Sequence, residues 1–167
     1  MYKKGELVVY GNNGVCVVED ITTVENLLSG SEGALYYVLR SKISNGSVSY
    51  VPVDSNVFLR PVMTKAQAEA IIEKIPDIDT KCFQNITPRD AMRVYRDAIN
   101  THNTETLISL IKHIMETEEK KRSQNKKLSS TEERYLSISK KILESELTEA
   151  LSMTEEELKN YILKRIK

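Results

Sequence analysis

The apolar period changes once along this 167-residue chain, and no single layer of structure fits both sides of the change. Up to about residue 60 the apolar residues come in short β-branched runs cut by glycine and asparagine. Leu7-Val8-Val9-Tyr10 and Val15-Cys16-Val17-Val18 flank Gly11-Asn12-Asn13-Gly14, residues that tolerate the positive φ of a tight connection. Leu35-Tyr36-Tyr37-Val38-Leu39 and Val48-Ser49-Tyr50-Val51 flank Ser44-Asn45-Gly46, with Pro52 ending the second run or marking an edge. Residues 25–33 between the two hairpins are polar and read as an exposed loop. Five or so short strands in sixty residues predict a small antiparallel barrel of the Tudor or SH3-like kind over residues 1–62.

From residue 63 to 167 the period is about 3.6, punctuated by helix-start signals. Thr64-x-x-Gln67, Ser129-x-x-Glu132 and Thr154-x-x-Glu157 are capping boxes, and Thr87-Pro88 places proline at a first helical position. They open helices carrying Ile71, Ile72 and Ile75, then Ala91, Val94, Tyr95, Ala98 and Ile99, then Leu136, Ile142, Leu143 and Leu147, then Leu158, Tyr161, Ile162 and Ile166. A further helix begins near Thr104, with Leu107, Ile108, Leu110, Ile111, Ile114 and Met115 as its stripe. None buries its stripe alone, so the expected fold is α+β in two domains: the β-barrel, then an all-helical bundle of about five helices.

Composition narrows the function classes. With 40% hydrophobic and 29% charged residues the chain is that of a soluble globular protein rather than a membrane span, a disordered tail or a fibre. Its first residues lack the apolar core and small-residue cleavage site of a signal peptide, so a cytoplasmic location is expected. The formal net charge is zero, yet residues 89–141 hold twelve basic side chains against eight acidic ones. A run of this kind is either a solvated helix face or a contact for a polyanion.

Catalytic patterns find no support. Gly11-Asn12-Asn13-Gly14 lacks the Gly-Lys-Ser/Thr of a phosphate loop. Cys16 and Cys82 are isolated, and His102 and His113 lack the spacing of a helical metal pair. Glu155-Glu156-Glu157 suits the positive end of a helix dipole better than acid–base chemistry. No enzyme activity, metal or cofactor is expected. The strand Val48–Val51 is either an interior barrel strand or an edge offering its backbone to a partner's sheet. As an edge it would also permit a strand-exchanged dimer.

The order of parts resembles a known family. Lys4-x-x-x-Leu7-Val8-Val9-Tyr10, then Gly14-Val15 and Val17, then Tyr36–Leu39, then Tyr50-Val51-Pro52-Val53, is similar to the N-terminal module of the CarD/CdnL bacterial transcription regulators, found also in the transcription-repair coupling factor. Leu128-Ser129-x-x-Glu132-x-x-x-Leu136 with Ile142-Leu143-x-x-Glu146-Leu147 resembles the helical C-terminal domain of CarD proteins. The resemblance implies that the β domain docks on the β-subunit lobe of bacterial RNA polymerase and that the helical domain touches promoter DNA near the upstream edge of the melted region. Carried onto this chain, docking falls to Thr23, Ser49 and Tyr50. Some members have arginines at two of these positions, so here strand pairing and the Tyr50 ring would hold the contact.

Described members also wedge a tryptophan against the DNA before the second helix, whereas this chain has none. In the matching region Phe83 and Ile86 are either weaker wedges or packed core. The cations expected at phosphates are Arg89, Arg93, Arg96, Lys126, Lys127 and Arg134, suited to non-specific backbone contact rather than base reading. The implied function is an RNA polymerase-binding regulator that stabilises the open promoter complex. The alternative is a polymerase-bound adaptor whose helical domain binds another protein through its Glu-rich last helix.

Overall fold

The computed structural model describes residues 1–23, 33–43 and 46–165. They divide into two compact units, Met1–Val62 and Met63–Lys167. Ser44 and Asn45 of the second expected turn, and residues 25–32 of the expected loop, lie outside the described residues, as does Ile166.

The first unit is a five-stranded antiparallel sheet of β1 (Leu7–Tyr10), β2 (Val15–Thr23), β3 (Leu35–Ser41), β4 (Val48–Pro52) and β5 (Leu59–Pro61), in the order β4-β3-β2-β1-β5. Gly11–Asn13 forms a 3-10 turn between β1 and β2, with Gly11 at φ 46 and Gly14 at φ 64, which is why glycines bracket it. Alternation sends Val8, Cys16, Val18, Tyr37, Leu39 and Val51 to one face, where they form the core with Tyr2, Tyr10, Ile21, Val53 and Leu59 against it. β4 and β5 each pair with one strand among the described residues, so they form the two edges of the ladder.

β2 carries a bulge. Its register with β3 shifts between Val18 and Asp20, leaving Glu19 without a partner residue in the ladder. One extra residue reverses the alternation. Val18 points into the core, yet two residues on Asp20 is exposed and paired with Val38, and Ile21 is again on the core side opposite Tyr37.

The second unit holds α1 (Lys65–Lys74), α2 (Pro88–Asn100), α3 (Thr104–Ser123), α4 (Ser130–Leu151) and α5 (Glu155–Arg165). Each start is capped as the sequence predicts: Thr64, Thr87, Ser129 and Thr154 accept the N–H of the residue three on. α3 is capped by Asn103, whose side chain accepts the Thr106 N–H at 2.9 Å. Substituting such a cap costs about 1 kcal/mol.

Two cores result. Ala91, Tyr95, Ala98 and Ile99 of α2 meet Leu107, Leu110, Ile111 and Ile114 of α3 and Tyr135 of α4. Ala68 and Ile72 of α1 meet Leu147 and Leu151 of α4 and Leu158 of α5. Lys112 on α3 donates to the carbonyls of Ile75, Pro76 and Ile78, pinning the chain that leaves α1.

Candidate functional site

The register of β4 decides which backbone groups are available. Ser41 donates to the Ser47 carbonyl at 2.9 Å and Val53 donates to the Leu35 carbonyl at 2.9 Å. By antiparallel alternation the groups of Ser49 and Val51 also face β3, so the N–H and C=O of Val48 and Tyr50 point to the outer edge. No strand pairs with that edge among the described residues. The Pro52 carbonyl is already taken by the Ser55 N–H and hydroxyl, at 3.1 and 2.8 Å. β4 carries no charged side chain, a protection most exposed edges have.

The outer face beside this edge is a shallow open groove of about 800 Å³, and Tyr50, Val38, Thr22, Thr23, Asp20 and Lys4 are among its lining. Of the three expected docking residues, Thr23 and Tyr50 both border this groove, although alternation from Ile21 turns the Thr23 side chain, unlike that of Tyr50, toward the core face. Tyr50 is 51% exposed and stands opposite Val38. Ser49 differs: it lies on the core side of β4 with Val51, so its side chain points away from Tyr50. Only its backbone lies in the edge strand.

The bulge supplies the support. It leaves Glu19 free to take the Arg40 guanidinium, which bonds both carboxylate oxygens, one at 2.9 Å, and also the Gly46 carbonyl at 2.8 Å. These bonds hold the Glu19 carboxyl below its ordinary value. Arg40 thereby ties β2 to the turn that opens β4. A Cβ at Gly46, where φ is 73, would come within 3.3 Å of the Arg40 guanidinium.

In the helical unit the six expected cations fall in separate places. Arg89, Arg93 and Arg96 are exposed along one face of α2, opposite Ala91, Tyr95 and Ala98. Arg93 is paired with Asp90 at 3.4 Å and Asp97 at 3.9 Å, and Arg96 with Asp97 at 3.7 Å. The Thr87 hydroxyl, then Arg93, holds the Asp90 carboxyl below its ordinary value, so it stays an anion. Met92, which the sequence reading passed over, sits on this face at 55% exposure, and its i+3 spacing from Arg89 was the available signal.

Lys126 and Lys127 line a second open groove, of about 590 Å³, with Arg122, Lys140, Glu118 and Glu133, over Leu128 and Leu136. Arg122 and Lys140 were not singled out from sequence. They come together because α3 ends in a tight cap: Lys126 N–H bonds the Lys121 carbonyl at 2.8 Å and Asn125 N–H the Arg122 carbonyl at 3.0 Å, with Asn125 at φ 55. Lys121 is diverted to Glu132 at 2.6 Å; burial raises the Glu132 carboxyl, but the bonds from Lys121 and Ser129 outweigh it and hold it low. Arg134 is exposed on α4 but is not part of this groove's lining.

The wedge expectation is corrected for Phe83. Its ring is 3% exposed and fills the helical core, with centroids 5.6 Å from His113 and 6.4 Å from Tyr95. Ile86 is half-buried against the same cluster. Both residues pack against the apolar cluster that α2, α3 and α4 build, which removes their surface from water.

Among the described residues no group of three or more His, Cys, Asp or Glu is placed to hold a metal ion. Burial pushes the Cys16 thiol up to about 11, which makes it unreactive. No described helix is long and apolar enough to cross a membrane. Residues 2–63 match the family model of the CarD-like/TRCF RID domain, a span that takes in the whole sheet. No curated protein matches the chain.

Proposed function

We propose that this chain, whose residues 2–63 match the CarD-like/TRCF RID domain, interacts with RNA polymerase and uses the β4 edge to dock on the β-subunit lobe of the bacterial enzyme. A polymerase strand adds beside Val48 and Tyr50, whose outward N–H and C=O groups supply main-chain hydrogen bonds while the Tyr50 ring fixes the side-chain fit. The observation that carries this reading is the family match over the same residues that present an edge with which no described strand pairs.

The helical unit acts on promoter DNA. Held on polymerase, its cations meet phosphates at high effective concentration, so individually weak contacts count. Arg122, Lys126, Lys127 and Lys140 are the stronger phosphate candidates, because Arg93 and Arg96 already have carboxylate partners. With Phe83 buried, the apolar contact to an opened base step falls to Met92. Contacts made only after melting stabilise the open complex, and about 1.4 kcal/mol changes its ratio to the closed complex tenfold. Contacts made equally in both states would change nothing. The protein works by binding, without a catalytic step.

Open-complex lifetime on one promoter, with and without the protein, tests the reading; a longer lifetime is expected and an unchanged one overturns it. Footprinting separates the adaptor alternative, in which α5 recruits a protein and upstream DNA gains no protection.

A further inference from the structure

The geometry points to a reversible, two-fold symmetric dimer in which β4 of one copy pairs antiparallel with β4 of a second, using the edge assigned above to RNA polymerase and so excluding it. The exclusion rests on that docking reading; the pairing does not.

The edge is complementary to itself in one register. It presents the N–H and C=O of Val48 and of Tyr50, flanked by Gly46, whose carbonyl accepts from Arg40, and by Pro52, which lacks an N–H and has its carbonyl taken by Ser55. Setting Val48 opposite the second copy's Tyr50 lets each pair exchange both bonds, and the two-fold axis repeats the exchange, satisfying the outward N–H and C=O of both residues. Centring the pairing on Tyr50 instead would set Val48 against Pro52, and centring it on Val48 would set Tyr50 against Gly46; either register points an open N–H at a carbonyl that already has a donor.

Side chains agree with the backbone. On the outer face each Tyr50 lies across from a Val48, two aromatic–β-branched pairs of the kind that stabilise sheets, and both are exposed in the single copy. No charge on β4 opposes the approach. Four hydrogen bonds and two such pairs fall well short of the roughly 1,200 Å² of a stable interface, so the dimer forms only at high concentration and leaves the monomer free to dock when dilute. It differs from strand exchange in that neither copy unfolds.

The axis passes through Ser49, which becomes a non-hydrogen-bonded pair with Cα atoms about 4.5 Å apart, within disulfide reach. Val48 and its symmetry mate are diagonal neighbours about 7–8 Å apart, beyond it. In a Cys82→Ser background, Ser49→Cys is expected to form an intermolecular disulfide under mild oxidation and Val48→Cys is not. Sedimentation of the unmodified protein should show concentration-dependent dimer that Tyr50→Lys abolishes. No Ser49→Cys cross-link together with monomer at all concentrations, or equal yield at Val48→Cys, overturns the pairing.

The cross-linked dimer is expected to bind polymerase at least about tenfold more weakly than the same protein after reduction. Equal binding in both forms overturns the exclusion. Failure of the reduced protein to bind polymerase sinks the docking reading and the exclusion together, while the cross-link still decides the pairing.

Discussion

The Glu146 side chain, 3% exposed near the C-terminal end of α4, accepts the backbone N–H of Met63 at 3.0 Å, eighty-three residues away in sequence. It holds the residue just before the Thr64 cap, so the start of α1 is fixed both by its own capping box and by α4. Removing a buried acceptor leaves a stranded donor, which costs about 1–3 kcal/mol. Glu146→Ala should lower the urea midpoint accordingly, while Glu146→Gln, which keeps an acceptor oxygen, should lose less. Equal midpoints for Ala and wild type would show that this bond contributes nothing.

Tyr50 and Ser49 should separate in a polymerase-binding assay, because their side chains lie on opposite faces of β4. Tyr50→Ala removes an exposed ring of the type that anchors interfaces, and a loss of about 2 kcal/mol, or about thirtyfold in Kd, is expected. Ser49→Ala leaves the backbone edge intact and should bind nearly as wild type. Loss at Ser49 with none at Tyr50 would place the contact on the other face.

His113 gives the helical unit a pH dependence. Burial, more than any neighbouring charge, lowers its basicity below the ordinary 6.5; Glu116 and Glu132 act against this, Lys120 with it. Its ring lies 6.1 Å from that of Tyr95, and its Nε2 is 3.4 Å from the Tyr95 hydroxyl. The folded state therefore binds the proton less readily than the unfolded chain. Stability is full above the unfolded value and falls as pH drops below about 6.5, levelling off below the folded value. Urea midpoints between pH 7.5 and 5 should decline in wild type, and His113→Gln should flatten the decline.

What was legible in the sequence was local. The caps at Thr64, Thr87, Ser129 and Thr154 are contacts within four residues, so residue type at fixed spacing suffices to place them. The Glu19 bulge is not local: it exists because β2 must satisfy the core on both sides of a register shift against β3, and nothing in Val-Val-Glu-Asp announces it. Phe83 could not be sorted from sequence into wedge or core, since the answer depends on the shape left between α2 and α3. Arg93 and Arg96 are a different case. Asp90 and Asp97 were in view at i+3, i+4 and i+1, and weighing them would already have discounted those arginines.

The same discount gives the sharpest separation between two surfaces of the helical unit. Exposed ion pairs are individually weak, so Arg93 and Arg96 are not lost to DNA, but each must give up a carboxylate to take a phosphate. Arg122, Lys126, Lys127 and Lys140 share a groove with only Glu118 and Glu133 to offset four cations. Each phosphate contact removed lowers the slope of log K against log salt by about 0.9 on duplex DNA. For polymerase-anchored promoter binding, Arg122→Ala with Lys140→Ala should therefore cut the slope by about 2, and Arg93→Ala with Arg96→Ala by clearly less. The ranking is read from open-complex lifetimes over a salt series, with polymerase affinity measured alongside to confirm that docking is intact. A larger slope change from the α2 pair would move the phosphate contact to the face that carries Met92.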